Sequence, residues 1–206
     1  LYLHEEWDEQ VIHRNITSSA VFLDPDNNPR LGCFALAEFL TRNSHGDHHV
    51  ATTTSSVRGI FGYMAPEYVE SGEATPMADV YSFGVVVLEV VTGQRAVDFR
   101  WPEALLLSRV RRFVERKKPL EEMVDGRMGE EEYDRRQLRR LLQLGFLCTH
   151  SDPAARPSMR QIVSILDGND ELLNFLGWKK EGREVWQRRN ASSLSLVRRI
   201  QALGIH

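Results

Sequence analysis

The side chains able to do chemistry gather in three short blocks: Val11 to Ala20, Leu31 to Ala37 and Gly59 to Tyr68. The first carries His13, Arg14 and Asn15, then Thr17, with Ala20 at its end. The second carries the thiol of Cys33 beside Phe34, and the third runs from Ile60 to Ala65-Pro66-Glu67. Neither of the first two blocks contains a carboxylate. Asn15 can accept a hydrogen bond, but an amide takes no proton near neutral pH. Between the second and third blocks lie His45-Gly46-Asp47-His48-His49 and the hydroxyl run Thr52-Thr53-Thr54-Ser55-Ser56. The histidine-rich stretch has ligand types whose spacing fits no closed site, so no metal centre is expected there. The hydroxyl run belongs to a Ser/Thr/His/Asn-rich stretch over 41–56 that reads as an exposed loop.

The elements that would position these blocks follow from local signals. Residues 1–10 read as the end of a helix. Val21-Phe22-Leu23 and Arg30-Leu31 are short strands around Asp24-Pro25-Asp26-Asn27-Asn28-Pro29, a dense turn signal. That hairpin predicts the His13 loop and the Cys33 turn side by side. From Asp79 to Val91 the chain is nearly all apolar, which predicts a helix buried on most sides, although its β-branched content also allows a buried strand. Thr92-Gly93 ends it. The spacing of Leu106, Val110, Phe113 and Val114 predicts one amphipathic helix over 104–114, and Leu138, Leu141, Leu142 and Gly145 predict another. Pro157 is expected as the first residue of a last helix through Leu166. After Leu166, a face of Leu196, Val197, Ile200 and Leu203 opposite Arg198, Arg199 and Gln201 suits docking on a partner or an anionic membrane. Disorder, or packing back onto the body, is the alternative.

Composition sets outer bounds. A chain of 206 residues fits one domain with a tail. Its net charge of −3 is unevenly placed: 179–206 holds seven Lys or Arg against two Glu, a net of +5 that leaves −8 on the rest. A basic tail behind an acidic body is no nucleic-acid signature. Two cysteines, Cys33 and Cys148, make neither a disulfide framework nor a zinc motif and suit a reducing compartment. Cys148 lies on an apolar helical face and reads as a core residue. The first residues lack a signal-peptide core, and the longest apolar run is too short to span a bilayer. The chain thus reads as soluble and intracellular, which makes the Asn190-Ala191-Ser192 sequon irrelevant.

In their order and spacing the three blocks resemble the catalytic loop, metal-binding turn and activation-segment anchor of protein kinases. His13-Arg14-Asn15 is similar to His-Arg-Asp, and Cys33-Phe34-Ala35 to Asp-Phe-Gly. The segments Tyr2 to Trp7, Gly62 to Tyr68, Asp79 to Val85 and Asp152 to Met159 resemble plant receptor-like serine/threonine kinases, in wording closest to the lectin receptor kinases. The likeness covers 1–168. It implies an α+β, kinase-like fold: a mainly α C-terminal lobe with a short β-hairpin and the N-terminal lobe absent, followed by a basic tail over 169–206.

The resemblance also implies which positions should do the chemistry. Phosphoryl transfer needs a carboxylate to orient and deprotonate the acceptor hydroxyl, and Asn15 stands there. Mg²⁺ needs hard oxygen ligands, and its two positions hold Ala20 and Cys33, a methyl and a soft thiol. Thr17 replaces a phosphate-steadying Lys, and Ile60 replaces a loop-bracing Thr. By the same analogy Glu67 and Arg156 form a structural ion pair, Asp79 holds the catalytic-loop backbone, and His13 and Phe34 link the two loops. Arg14 would receive a phosphate carried by Thr52, Thr53, Thr54, Ser55 or Ser56, against the plainer reading of a solvated loop. The family uses ATP and Mg²⁺, but no cofactor is expected for this chain.

Three functional readings follow. One is an inactive pseudokinase lobe, a scaffold or phosphoacceptor for other protein kinases or signalling proteins. It would be cytoplasmic, at the inner face of the plasma membrane if its parent is membrane-anchored, with no nucleic-acid partner. The second is part of an active ATP-dependent kinase whose chemistry needs another lobe or domain. The third is a truncated gene product without a role of its own.

Overall fold

The computed structural model of the protein describes residues 1–42, 48–49, 57–129, 133–177 and 181–204. Two small antiparallel sheets precede a helical body. In the first, β1 (Gln10–Ile12) pairs with β4 (Glu38–Arg42) in the register Val11 opposite Phe39, and β4 pairs with β5 (His48–His49). The second is the hairpin of β2 (Val21–Leu23) and β3 (Pro29–Leu31), with Phe22 opposite Arg30. Its turn forms because Asp24 Oδ1 accepts the N–H groups of Asp26 and Asn28 at 3.1 and 2.8 Å while Asn27 takes φ +63°. Residues 2–6 form a single wide helical turn at the chain start.

The helices are α1 (Pro66–Ser71), α2 (Pro76–Thr92), α3 (Leu106–Glu115), α4 (Arg135–Cys148), α5 (Met159–Leu166), α6 (Asp170–Leu176), α7 (Arg183–Arg189) and α8 (Ala191–Ala202). The ambiguous apolar run is α2, because its ends are helix ends. Thr75 Oγ1 caps the Ala78 N–H at 3.1 Å, Pro76 opens the first turn, and Gly93 closes the last at φ +63°. Twelve of its 17 residues are buried, so it has core on nearly every side. One cluster joins its Tyr81, Val85 and Leu88 to Leu106, Val110, Leu138 and Leu142. A second joins Val80 to Leu144, Cys148, Ile162 and Ile165. Each fully buried aliphatic side chain stabilises by about 1.5–3 kcal/mol.

Two glycines set how closely α2 and α4 cross. A Cβ on Gly84 would stand 2.6 Å from Cys148 Cβ, and one on Gly145 would stand 2.9 Å from Leu88 Cγ. Larger residues at either position would push the two central helices apart.

The structure corrects the end of the chain. Pro157 is not the first residue of α5. Ser158 is its cap, in a capping box whose Oγ accepts the Gln161 N–H while the Gln161 side chain accepts the Ser158 N–H. Nor is α5 the last helix. The segment beyond Leu166 folds back, with Leu173 in the second cluster and Trp186 in the first. Its inward stripe is Trp186, Asn190, Leu194 and Val197, whereas Leu196 and Leu203 are exposed. The expected stripe failed because α7 and α8 run nearly continuously, so the helical face starts at Trp186. Basic groups meet body acids here, with Arg189 3.5 Å from Asp152 and Arg183 3.9 Å from Glu115. Among the described residues no helix is long and apolar enough to cross a membrane.

Gly84→Ala should lower stability by about 1–3 kcal/mol through overpacking, read as a fall in thermal midpoint. An unchanged midpoint would mean that the α2–α4 crossing is looser than these distances.

Candidate functional site

Asp79, in the first turn of α2, is 1% exposed. Its Oδ2 accepts the His13 N–H at 2.7 Å and its Oδ1 the Arg14 N–H at 2.8 Å. His4 Nε2 lies 3.0 Å from Oδ2. These bonds hold Arg14 at φ +65°, a left-handed conformation uncommon for residues other than glycine.

His13 extends the clamp to the second block. Its Nδ1 accepts the Asn15 N–H at 3.2 Å, so its proton is on Nε2, which donates to the Gly32 carbonyl at 2.8 Å. Gly32 N–H in turn donates to the Ala20 carbonyl at 2.8 Å. Phe34 meets the His13 ring edge-on, with centroids 4.7 Å apart. Yet Phe34 is 43% exposed, so the expected core contact is one ring edge and the rest of the side chain faces outward. The structure therefore brings His13, Arg14, Asn15, Ala20, Cys33 and Phe34 together around one loop pair.

The residues at the chemical positions offer little to a cation. Ala20 is buried and presents a methyl group. Cys33 is exposed in a left-handed turn at φ +62°. Asp79 has both oxygens taken by three donors. Among the described residues no group of three His, Cys, Asp or Glu could hold a metal ion. These residues do not fit Mg²⁺, which favours hard anionic oxygens. Thr17 is buried and acts locally, its Oγ1 accepting the Ala20 N–H at 3.2 Å to cap the 18–20 turn. Ile60 is exposed. The Thr52 to Ser56 run and His45-Gly46-Asp47 lie outside the described residues.

Arg14 is engaged. Its Nη1 donates to Glu38 Oε2 at 3.0 Å, and its Nε and Nη2 donate to the Tyr68 hydroxyl at 3.3 and 3.0 Å. Tyr68 is buried and also ties down the third block, donating to the Arg58 carbonyl at 2.9 Å and accepting the Arg58 N–H at 3.0 Å. Tyr63 bridges Ser18 Oγ at 3.1 Å and Glu89 Oε2 at 2.6 Å. Burial and the Glu89 carboxylate push its phenol up to about 12, so it remains a donor at physiological pH. Sequence reasoning missed Glu38, Tyr63, Tyr68 and Glu89. Tyr63 and Tyr68 flank Ala65-Pro66-Glu67, but nothing local marks their partners.

Glu67 and Arg156 meet as a two-toothed pair at 2.6 and 2.8 Å. The Arg156 side chain is fully buried, lies 5.0 Å over the Tyr81 ring, and also donates to the carbonyls of His150 and Met77 at 2.7 and 2.8 Å. All of its donor nitrogens are used, which offsets much of the desolvation cost of burying a guanidinium.

Comparison with known proteins places this geometry. The family described as "Protein kinase domain" matches residues 1–165. Among curated proteins of Arabidopsis thaliana, the chain is 59% identical over 208 residues to "Receptor like protein kinase S.2", covering 100% of this chain and 24% of that protein. It is 42% identical over 182 residues to "L-type lectin-domain containing receptor kinase IV.2", covering 83% and 25%. It is 37% identical over 181 residues to "L-type lectin-domain containing receptor kinase IX.2", covering 84% and 26%. The chain spans about a quarter of the length of these relatives.

Two substitutions test the clamps by chemical denaturation. Glu67→Ala leaves the Arg156 charge buried and unpaired and should cost about 3–5 kcal/mol. Asp79→Asn turns an NH₂ toward backbone donors and should cost about 1–3 kcal/mol for the orphaned N–H. A loss below about 0.5 kcal/mol in either case, the size of an exposed pair, would show that the clamp does not hold the loop.

Proposed function

Because the chain belongs to the protein kinase family, we propose that it is the C-terminal lobe of a plant receptor-like serine/threonine kinase that has kept the frame and lost the chemistry. It would serve receptor signalling as a scaffold or as a phosphoacceptor for other protein kinases. The carrying observation is a contrast within one site. The backbone clamp of Asp79 and the Glu67–Arg156 pair are fully built, whereas the base and metal positions hold Asn15, Ala20 and Cys33. Loss of a general base alone costs about 10²–10⁴ in rate. Losing the metal ligands as well removes the charge that would neutralise the phosphates.

The names of the relatives support placing the parent at a membrane, with this lobe on the cytoplasmic side. In the phosphoacceptor role the Thr52 to Ser56 run would take the phosphate. Arg14 would then have to exchange Glu38 for it, a swap between two anionic partners.

A second reading is favoured by the 59% identity to a protein named as a kinase: the parent is an active, ATP-dependent enzyme. The two readings separate in a thermal-unfolding scan with and without millimolar Mg-ATP, because a ligand that binds only the folded state raises its stability by mass action. The expected result is a cooperative melt with no Mg²⁺-dependent shift. A clear upshift that requires Mg²⁺ would overturn the assignment of Ala20 and Cys33 as lost ligand positions.

A further inference from the structure

Helices α7 and α8 lie beyond residue 165, where the family match ends, yet they bury Trp186 and Val197 against the body. Trp186 is 5% exposed and Val197 is 6%. Val197 packs with Ala104 and Leu105, and Leu194 and Phe61 border the same cluster. Asn190 and Ser193 line a narrow cleft with Phe61, Gly62 and Met64. The pair therefore fills an apolar groove between the 61–64 loop and the segment leading into α3. That loop is the one Tyr63 ties to Ser18 and Glu89.

The polar part of the attachment has a different quality. Arg111 of α3 lies between the rings of Phe146 and Trp186, at 5.0 and 5.1 Å, and pairs with Glu181 at 2.8 Å. The two side chains are 6% and 2% exposed. Burial pulls the Arg111 guanidinium below its ordinary value, and the Glu181 charge only partly opposes this. The bonds that accompany the pair are long: Arg111 Nη2 to the Thr149 carbonyl and Ser151 N–H to Glu181 are both 3.4 Å. Among the described residues, five buried side-chain polar atoms have no hydrogen-bond partner in the protein: Ser108 Oγ, Arg111 Nε, Ser151 Oγ, Glu181 Oε1 and Trp186 Nε1. Every one belongs to α3, to the turn at 149–151 or to the segment 181–186. At the Arg156 site, by contrast, all three guanidinium nitrogens are hydrogen-bonded.

An attachment with apolar anchors and an under-satisfied buried ion pair opens more readily than a core with neither defect. We propose that α7–α8 is a detachable intramolecular cover, latched by Arg111 and Glu181, over the groove beside the Phe61–Met64 loop. The ligand this groove fits is the helix pair itself: an amphipathic helix presenting Trp, Asn, Leu and Val at successive turns, preceded by an acid. Release of the cover frees the loop at the edge of the site. This holds whether or not the site is catalytic.

Amide hydrogen exchange on the full chain tests it. Residues 184–202 should exchange at least ~10-fold faster than the cores of α2 and α4, through a local opening. Glu181→Gln should speed exchange in 184–202 and in 61–64 by a further ~10-fold and leave α2 and α4 unchanged. A fluorescent peptide of residues 181–204 should bind the Glu181→Gln chain more tightly than the native chain. Equal protection of α7–α8 and α2 in the native chain would overturn the proposal, since the helices would then belong to the cooperative core. The proposal also falls if Glu181→Gln speeds all segments alike, or if the peptide binds both chains equally. The native-chain comparison needs no substitution, so it decides even if the variant fails to fold.

Discussion

The carboxylate of Asp79 is the constraint from which the rest of the site follows. It sits in the first turn of α2, where the helix dipole favours a negative charge, and both oxygens point out of the core toward the loop at 13–14. Two backbone N–H groups close on it, and that fixes Arg14 in a conformation it would otherwise leave. Arg14 then points at Glu38 and Tyr68, and His13 at Gly32. None of these placements has a local cause. They exist because a buried, capped helix offers an immobile acceptor pair to a loop far away in the chain.

The site and the body differ in which residues must be retained. Asp79, His13, Glu67 and Arg156 serve backbone geometry and buried charge, so their loss carries a folding penalty. Asn15, Ala20 and Cys33 carry no such constraint. Ala20 is buried but satisfied as a methyl group, and Cys33 is exposed. A lobe can therefore shed its chemistry at those three positions and keep its fold, which is the physical basis of the proposed scaffold role.

The C-terminal helices obey a related logic with a different balance. Trp186 and Val197 are buried against the body, but the ion pair beneath them is surrounded by polar atoms without partners. Charge adds only exposed contacts at the rim, such as Arg189 with Asp152, whereas the buried pair runs the other way, with Glu181 of the segment on Arg111 of the body. The charge asymmetry visible in composition is met in part by exposed pairs within the chain, Arg189 with Asp152 and Arg183 with Glu115.

Short-range chemistry was legible from the amino acids alone. Apolar spacing placed α3 and α4, the apolar run with its Thr92-Gly93 stop marked α2 while leaving helix or strand open, turn residues placed the β2–β3 hairpin, and the order and spacing of the motifs identified the protein kinase family. Pairings between residues far apart in the chain were not legible, because neither partner carries a local mark of the other. Arg14 meets Glu38 24 residues away and Tyr68 54 away. Phe34 carries an apolar signal identical to that of a core residue, yet it is half exposed. The stripe of α8 was misplaced because two near-continuous helices share one face, and that phase is set by where Trp186 finds its pocket. Periodicity fixes which residues share a face, but packing against a distant surface selects which face turns inward.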